Sequence, residues 1–180
     1  DGGIVGYTVV TGLGVSSDGI GGTNQTLQGM ARSENLSANF VLGADIDPSP
    51  TVGWNSGAGF LPIGNSTTAY TGIFDGLGHT IDTLTISRPE ADYVGLFGKI
   101  GTTAVVQNVG LVGGSVAGFN NVGGLVGANY GVVNNSYNTG TVDGNNNVGG
   151  LVGTNVGKID NSYATGNVSG GVSVGGLVGQ

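Results

Sequence analysis

The sequence predicts an all-β fold, a parallel β-helix (β-solenoid) whose rungs are each about 26 residues long. Three observations support this: a short motif recurs at that period, the segments between its copies are short and extended, and the composition disfavours helices. The chain contains 40 Gly but only 4 Lys or Arg residues, and 8% of its residues are charged. A solvent-facing helix normally carries more charge, whereas Val and Thr favour strands and Gly and Asn favour turns.

The period is set by the motif Gly-Leu-Val-Gly, which occurs at 124–127, 150–153 and 176–179, so that successive copies begin 26 residues apart. A degenerate copy, Gly-Leu-Phe-Gly at 95–98, precedes them, and an Asn recurs at nearly the same interval in the middle of each repeat. The predicted structural repeat positions are Gly95, Leu96, Gly98, Gly124, Leu125, Gly127, Gly150, Leu151, Gly153, Gly176, Leu177, Gly179, Asn108, Asn135 and Asn161.

Each repeat divides into three predicted strands, which in one copy lie near 122–127, 132–137 and 140–143. Gly or Asn corners separate them, and pieces of this length leave no room for crossover helices. When one such coil stacks on the next, the strands pair in parallel and each rung adds about 4.8 Å along the axis.

Alternation along the middle strand predicts which side chains fill the interior. Val133, Asn135 and Tyr137 are predicted to point inward, and Val132 and Ser136 to face water. The corresponding residues of the next repeat are Ile159, Asn161 and Tyr163 inward and Lys158 and Ser162 outward. The Asn column is predicted to lie at a corner, where stacked amides bond to one another and to turn backbone.

The Gly-Leu-Val-Gly strand carries two consecutive apolar positions on every rung. One column is Ile73, Leu96, Leu125, Leu151 and Leu177, and the other is Phe74, Phe97, Val126, Val152 and Val178. Neighbouring residues of a flat strand point to opposite faces. Either the strand bends at a corner and buries both columns, or the second column is an apolar stripe covered by the N-terminal region or by a neighbouring chain.

Residues 1–65 are less regular than residues 66–180, which form the predicted solenoid rungs. Within the first part, 39–42 and 44–47 are predicted as strands, and 27–33 as a helical turn. A terminal rung needs its open edge covered, so residues 1–65 are predicted to be an irregular cap, or an insertion on the outside of the coil.

Charge and hydropathy exclude several kinds of partner. A net charge of −7 with so few cationic side chains offers no patch for nucleic acid. No apolar run approaches about 20 residues, so no membrane insertion is predicted. The chain has no Cys, which excludes disulfides and thiolate metal sites.

Few residues are suited to catalysis, and none is assigned a catalytic or cofactor-binding role. His79 is the single His and lies in a Gly-rich corner where it can bond locally. Asp45 and Asp47 lie on one face of a strand and are the best candidates for a Ca²⁺ site or an acid-base pair, although Asp at a corner commonly caps backbone. Tyr130, Tyr137 and Tyr163 are candidates for stacking on sugar rings, but alternation predicts that Tyr137 and Tyr163 point into the core.

Several segments carry a family resemblance. The repeat, together with Asn-Ser-Tyr-Ala-Thr-Gly at 161–166, resembles the GLUG motif. Upstream, 42–47, 62–64 and 74–81 resemble the segment that precedes such repeats in filamentous-haemagglutinin-type exoproteins. The resemblance covers roughly residues 36–180. It implies a right-handed β-helix from a large adhesin of Gram-negative bacteria, of the kind exported by two-partner secretion.

The sequence and the resemblance together predict a non-enzymatic structural or adhesive segment of a secreted bacterial surface exoprotein, which provides rigid extension and surface display. The expected partners are host-cell or matrix surface glycans and proteins, or like chains packed side by side. The alternative is a carbohydrate-active or carbohydrate-binding β-helix of the polysaccharide lyase or hydrolase type. A cleft with two facing carboxylates would favour that alternative.

Overall fold

Short strands stack rung upon rung into a parallel β-solenoid in the computed structural model, which describes residues 6–21 and 25–180. This confirms the predicted fold class. Strand partners in successive rungs are 26 residues apart, as in Val126 with Val152 and Val133 with Ile159. The strands in chain order are β1 (Thr8–Val10), β2 (Phe40–Leu42), β3 (Ile73–Asp75), β4 (Thr80–Asp82), β5 (Thr85–Ser87), β6 (Phe97–Ile100), β7 (Val105–Gln107), β8 (Gly110–Val112), β9 (Ser115–Ala117), β10 (Asn120–Gly123), β11 (Val126–Asn129), β12 (Val132–Asn134), β13 (Tyr137–Asn138), β14 (Thr141–Asp143), β15 (Asn146–Gly149), β16 (Val152–Asn155), β17 (Lys158–Asp160), β18 (Tyr163–Ala164), β19 (Val168–Ser169) and β20 (Val172–Gly175).

The strands form five parallel sheets, which the chain visits in the same order on the regular rungs from β7 onward. Sheet I contains β1, β2, β3, β7, β12 and β17; sheet II contains β4, β8, β13 and β18; sheet III contains β5, β9, β14 and β19; sheet IV contains β10, β15 and β20; sheet V contains β6, β11 and β16. A full rung such as 132–155 therefore has five strands of two to four residues, not the three that the sequence predicts. The extra breaks occur at corners that were predicted to be continuous strand, after Gly123 and after Asn134.

The first of these corners resolves the problem of the two apolar columns. The chain turns between sheets IV and V, so that Leu125 and Val126 both point into the rung's own interior and are 0% exposed. The other fully buried members are Leu96, Phe97, Leu151 and Val152. The idea of a covered apolar stripe is therefore wrong, and the corner alternative is correct.

The assignment of Ile73 and Phe74 to these columns is also wrong. Both residues belong to sheet I, where they pair with Val105 and Val106 of β7. The position below Phe97 is taken instead by Ile63, which forms an isolated parallel bridge with it and is fully buried. The early rungs contain insertions and are longer than the regular repeats. Counting back from the regular repeats therefore assigns Ile73 and Phe74 to the wrong sheet.

The second corner reverses the predicted faces of the middle strand from Asn135 onward. Val133 is fully buried as predicted, but Asn135 adopts a left-handed backbone conformation with φ of 46°. The chain bends there, so alternation stops: Ser136 is 1% exposed, whereas Asn135 is exposed and Tyr137 is only half-buried. Tyr163 of the next rung is 51% exposed. Both tyrosines thus lie on the outer surface, not in the core.

Part of the N-terminal region joins the rungs directly. β2 pairs with β3, and Ile46 bridges to Ile81 of sheet II. The predicted strand at 39–42 corresponds to β2, whereas 44–47 contributes only the Ile46 bridge. The 3-10 helices of the described residues are Ser16–Gly19, Gln28–Ala31, Ser33–Asn35 and Ser49–Gly57.

The helical turn predicted at 27–33 lies at the second of these helices. Leu27 and Met30 are fully buried against the core, and Gln28 exchanges two hydrogen bonds with the backbone of Leu61 at 2.9 and 3.1 Å. This segment therefore packs on the coil. Of the predicted N-terminal part, residues 1–5 and 22–24 lie outside the described residues, and its role as a cap stays a prediction.

Candidate functional site

A column of asparagines marks the corner between sheets I and II. Asn108, Asn135 and Asn161 follow β7, β12 and β17, and their φ angles are 55°, 46° and 45°. Asn tolerates this left-handed conformation better than most residues do. The Nδ2 of Asn135 donates a hydrogen bond to Oδ1 of Asn108 at 3.2 Å. The amides of Asn108 and Asn135 therefore form a two-membered ladder along the outer surface.

The ladder ends on the carboxylate of Asp75, one rung earlier. Asp75 accepts hydrogen bonds from Nδ2 of Asn108 at 2.9 Å, Nε2 of Gln107 at 2.7 Å and the backbone N–H of Leu77 at 2.9 Å. Partial burial raises the pKa of Asp75, but these hydrogen bonds outweigh it and hold the pKa below its usual value. Asp75 is thus a fixed anion that orients the first amide of the ladder.

Tyrosine rings continue the same surface on sheet II. Tyr137 and Tyr163 pair in β13 and β18, with ring centroids 5.0 Å apart and ring planes within 2° of parallel. The next position down the column is Gly110, which has no side chain. The ring of Tyr137 occupies the space in front of it, because a Cβ on Gly110 would come within 2.2 Å of the Tyr137 ring. Tyr137 is therefore held between a stacked ring and a bare stretch of backbone.

An open groove of about 440 Å³ lies beside this ring and crosses three rungs. Its lining residues are Leu77, Gly78, Asn108, Val109, Gly110, Asn135 and Tyr137. One wall is the protruding Leu77–Gly78 turn, where Leu77 is 60% exposed and has a φ of 51°. The opposite wall is the Tyr137 ring. The groove is thus bordered by an aromatic ring, an aliphatic side chain and two amides, with no carboxylate or imidazole in its lining.

The predicted calcium and catalytic candidates lie elsewhere and have local partners. Asp45 accepts the backbone N–H of Thr80 at 2.9 Å and contacts Nδ1 of His79 at 3.0 Å, and these two bonds lower its pKa. Asp47 accepts the backbone N–H of Ser49 at 2.9 Å, which lowers the pKa of Asp47 in the same way. Within the described part of the chain, no three His, Cys, Asp or Glu side chains are grouped to hold a metal ion. Calcium binding here stays a prediction.

In the regular rungs, the first glycine and the leucine of the motif lie at the corner between sheets IV and V, and the second glycine lies in a strand of sheet V. A Cβ on Gly124 would lie 2.2 Å from Nδ2 of Asn138 and 2.7 Å from the carbonyl oxygen of Gly150. Asn138 is buried, and its Nδ2 donates to the carbonyls of Gly140 and Gly150 at 3.1 and 2.7 Å. The motif therefore lets successive backbones approach closely around a satisfied buried amide.

Sequence reasoning missed the groove because it placed Tyr137 in the core. The signal was present: an Asn that recurs between two strands indicates a left-handed corner, and such a corner resets alternation. Leu77 and Gly110 carried no comparable signal, because one follows a turn in an irregular rung and the other is one of many glycines.

The geometry and the repeat together define a parallel β-solenoid whose regular rungs share a Gly-Leu-Xaa-Gly corner. Residues 144–169 match the family model described as the GLUG motif, which confirms that part of the predicted resemblance. The matched segment contains the third Gly-Leu-Xaa-Gly copy and the Asn161 corner. No helix among residues 6–21 and 25–180 is long and apolar enough to cross a membrane.

Two curated proteins are similar to parts of this chain. It is 48% identical over 111 residues to "Halomucin" of Haloquadratum walsbyi, and 38% identical over 96 residues to a "Putative Gly-rich membrane protein" of Evansella cellulosilytica. The matches cover 58% and 52% of this chain but only 1% and 11% of those proteins. The chain thus corresponds to a small part of each relative. Neither name is that of an enzyme.

One solved structure shares the fold. It is the crystal structure of "a putative immunoglobulin A1 protease from Bacteroides ovatus", with a TM-score of 0.56 and 27% identity. The match covers 80% of this chain and 55% of that one. The match supports the solenoid architecture. The word "protease" in the description refers to that protein as a whole.

Proposed function

We propose that this chain is a structural and adhesive segment of a secreted cell-surface exoprotein, in which it provides rigid extension and surface display. The main observation behind this proposal is that rungs 105–129 and 132–155 stack on each other without a break in all five sheets. Every strand of these rungs bonds to the rung before or after it, so the segment resists bending along its axis.

The relatives support placement at a cell surface. One carries a mucin-type name and the other is called a membrane protein, and this chain spans a small fraction of each. A solenoid segment repeated or embedded in a longer chain lengthens it by about 4.8 Å per rung. The narrower assignment to filamentous-haemagglutinin-type adhesins rests on the sequence resemblance alone.

The carbohydrate-active alternative is less well supported. Glycoside hydrolysis uses two carboxyl groups that flank the bond to be cleaved. The groove beside Tyr137 has no carboxylate in its lining, and Asp45 and Asp47 cap backbone at other sites.

Two measurements test the proposal. Antibodies raised against the chain should label intact cells of the source organism without permeabilisation, and labelling that requires permeabilisation would contradict surface display. Small-angle scattering of the chain should give the radius of gyration of one compact body of fixed shape, and the larger value of a flexible ensemble would contradict a rigid segment.

A further inference from the structure

We propose that a pocket beside Arg88 binds a small carboxylic acid with an apolar body, whose carboxylate pairs with the Arg88 guanidinium. The pocket has a volume of about 190 Å³ and lies where residues of the irregular N-terminal part meet the chain between β5 and β6. The proposal goes beyond extension and display, because that role depends on the stacking of the regular rungs, whereas this site precedes them. The two can therefore fail independently.

Arg88 is the cationic group of the pocket, and it has no carboxylate partner among residues 6–21 and 25–180. The ion pairs in this part of the chain join Arg32 to Glu34, Lys158 to Asp160 and His79 to Asp45. The Nε of Arg88 donates a hydrogen bond to the backbone carbonyl oxygen of Phe60 at 3.2 Å. The N–H groups on Nη1 and Nη2 have no hydrogen-bond partner in the described structure. A carboxylate can accept two parallel bonds from this unpaired end of the guanidinium.

The surroundings of the guanidinium favour pairing with an anion. Arg88 is partly buried, and the loss of hydrating water lowers its pKa. A charge that is withdrawn from water is stabilised when an opposite charge binds beside it. The guanidinium is also held in place, because its acceptor Phe60 is itself fixed by a hydrogen bond from its N–H to the carbonyl oxygen of Thr85 at 2.9 Å. A carboxylate ligand thus meets a fixed cation and displaces no other anion.

The remaining walls select the body of the ligand. They are mostly aliphatic, with one aromatic ring, and consist of Ala31, Leu61, Pro62, Ala91, Val94 and Tyr93. Burial of hydrocarbon against these walls is favourable, whereas an inorganic anion has no such surface to bury. The volume of about 190 Å³ lies below the range of about 300–1,000 Å³ that is usual for drug-sized ligands. The ligand is therefore a small acid and not a polymer.

Two further charges near the pocket act in opposite directions. Asp92 lines it, but this residue is exposed and its Oδ1 accepts the backbone N–H of Asn120 at 3.1 Å. The Nζ of Lys99 lies 6.0 Å from the centroid of the Tyr93 ring, and Lys99 has no carboxylate partner in the described part of the chain. A single negative charge is therefore tolerated, whereas Asp92 and the net charge of −7 would repel a polyanion.

The test is a titration of the ¹⁵N-labelled 180-residue chain at neutral pH with three separate probes: isocaproate, its uncharged analogue isocaproamide, and acetate. We expect isocaproate to shift the amide signals of Leu61, Ala91 and Val94 saturably. Isocaproamide should bind at least about tenfold more weakly because it lacks the charge, and acetate because it lacks the hydrocarbon body.

Three results would overturn the proposal. The first is the absence of saturable shifts with isocaproate up to about 10 mM, where a millimolar Kd gives near-saturation. The second is equal affinity for isocaproamide, which would mean that the guanidinium does not pair with the ligand. The third is equal affinity for acetate, which would mean that the apolar walls do not contact it.

Variants then assign the binding to the guanidinium. Arg88→Gln should weaken isocaproate binding by about tenfold or more and leave isocaproamide binding within about twofold. Lys158→Gln is the matched control, since it removes the same charge from β17, outside the pocket, and its affinity for isocaproate should stay within about twofold of the parent chain. Equal affinities of the two variants for isocaproate would contradict the proposal.

A substitution at Asp92 tests the same site with the guanidinium intact. Asp92→Asn keeps an Oδ1 acceptor for the N–H of Asn120 and removes a negative charge from the pocket wall. Isocaproate should therefore bind about two- to threefold more tightly, and isocaproamide should be unaffected. This variant decides even if Arg88→Gln fails to fold, because an unchanged or lower affinity for isocaproate would show that its carboxylate does not enter the pocket.

Discussion

Tyr163 lies one rung after Tyr137, and their rings are parallel to within 2° with centroids 5.0 Å apart. The pair sits on the outer surface of sheet II, where it adds a side-chain contact to the backbone hydrogen bonds between rungs. Parallel in-register strands place equivalent residues of successive rungs above one another. Two successive repeats with Tyr at the same position therefore stack the two rings.

The energetic coupling between these rings is measurable by a double-mutant cycle. Tyr137→Ala, Tyr163→Ala and the double variant should give a coupling free energy of about 0.5–1.5 kcal/mol in denaturant unfolding. The same cycle with Tyr130→Ala and Tyr163→Ala should be additive, because Tyr130 lies in a different part of the rung. Additivity in the first cycle would show that the parallel rings do not stabilise one another.

Adjacent valines test the inward and outward faces of β12. Val133 is fully buried and Val132 only partly, and the two residues have the same side chain. Val133→Ala should lower the free energy of unfolding by about 2 kcal/mol, because it leaves a cavity between Val106 and Ile159. Val132→Ala should cost about 0.5 kcal/mol. Equal losses would contradict the assigned faces.

Ile159 is a less suitable probe than the sequence suggests. It pairs with Val133 but is only partly buried, because β17 is an edge strand of sheet I in the described structure. Periodicity predicts which face a residue occupies, but the degree of burial depends on what covers it.

The sequence predicted the rung length and the parallel stacking. It also predicted the two buried columns of the Gly-Leu-Val-Gly corner, but only as one of two alternatives. It did not predict five sheets, because a corner made by Asn135 and a corner made by Gly124 look like continuous strand when strict alternation is assumed. The error at Tyr137 followed directly from this. Turn geometry depends on φ at single residues, and the sequence indicates such a φ only through Asn or Gly, which also occur in many other contexts.

The hydrogen bonds to Asp75 predict a dependence of stability on pH. The pKa of Asp75 is lower in the folded chain than the unfolded value of about 3.9, so its contribution to stability is present above that pH and is lost as the pH falls through the folded pKa. Asp75→Asn should therefore unfold at lower denaturant concentration than the parent chain at pH 7. The difference should narrow in the acid range below about pH 4.

The measurement is a set of denaturant midpoints between neutral and acid pH for both chains. A difference that stays constant over the whole range would mean that the charge of Asp75 does not stabilise the ladder, and that the carboxylate acts only as a hydrogen-bond acceptor.

The close approach of rungs at the repeat corner predicts the effect of a single methyl group. Gly124→Ala would place a Cβ 2.2 Å from the buried Asn138 amide and 2.7 Å from the carbonyl oxygen of Gly150, so the corner must open. We expect a loss of about 2–3 kcal/mol in the free energy of unfolding. Gly176 holds the same motif position in the last rung of this chain, where a Cβ would meet no atom within 4 Å.

Gly176→Ala is therefore the matched control, and it should be neutral or stabilising by up to about 1 kcal/mol, because alanine restricts the unfolded chain. Denaturant unfolding of both variants makes the comparison. A large loss for Gly176→Ala would mean that the glycine is needed for its own backbone conformation. A large loss for Gly124→Ala alone would show that the motif needs glycine because the next rung stacks against it.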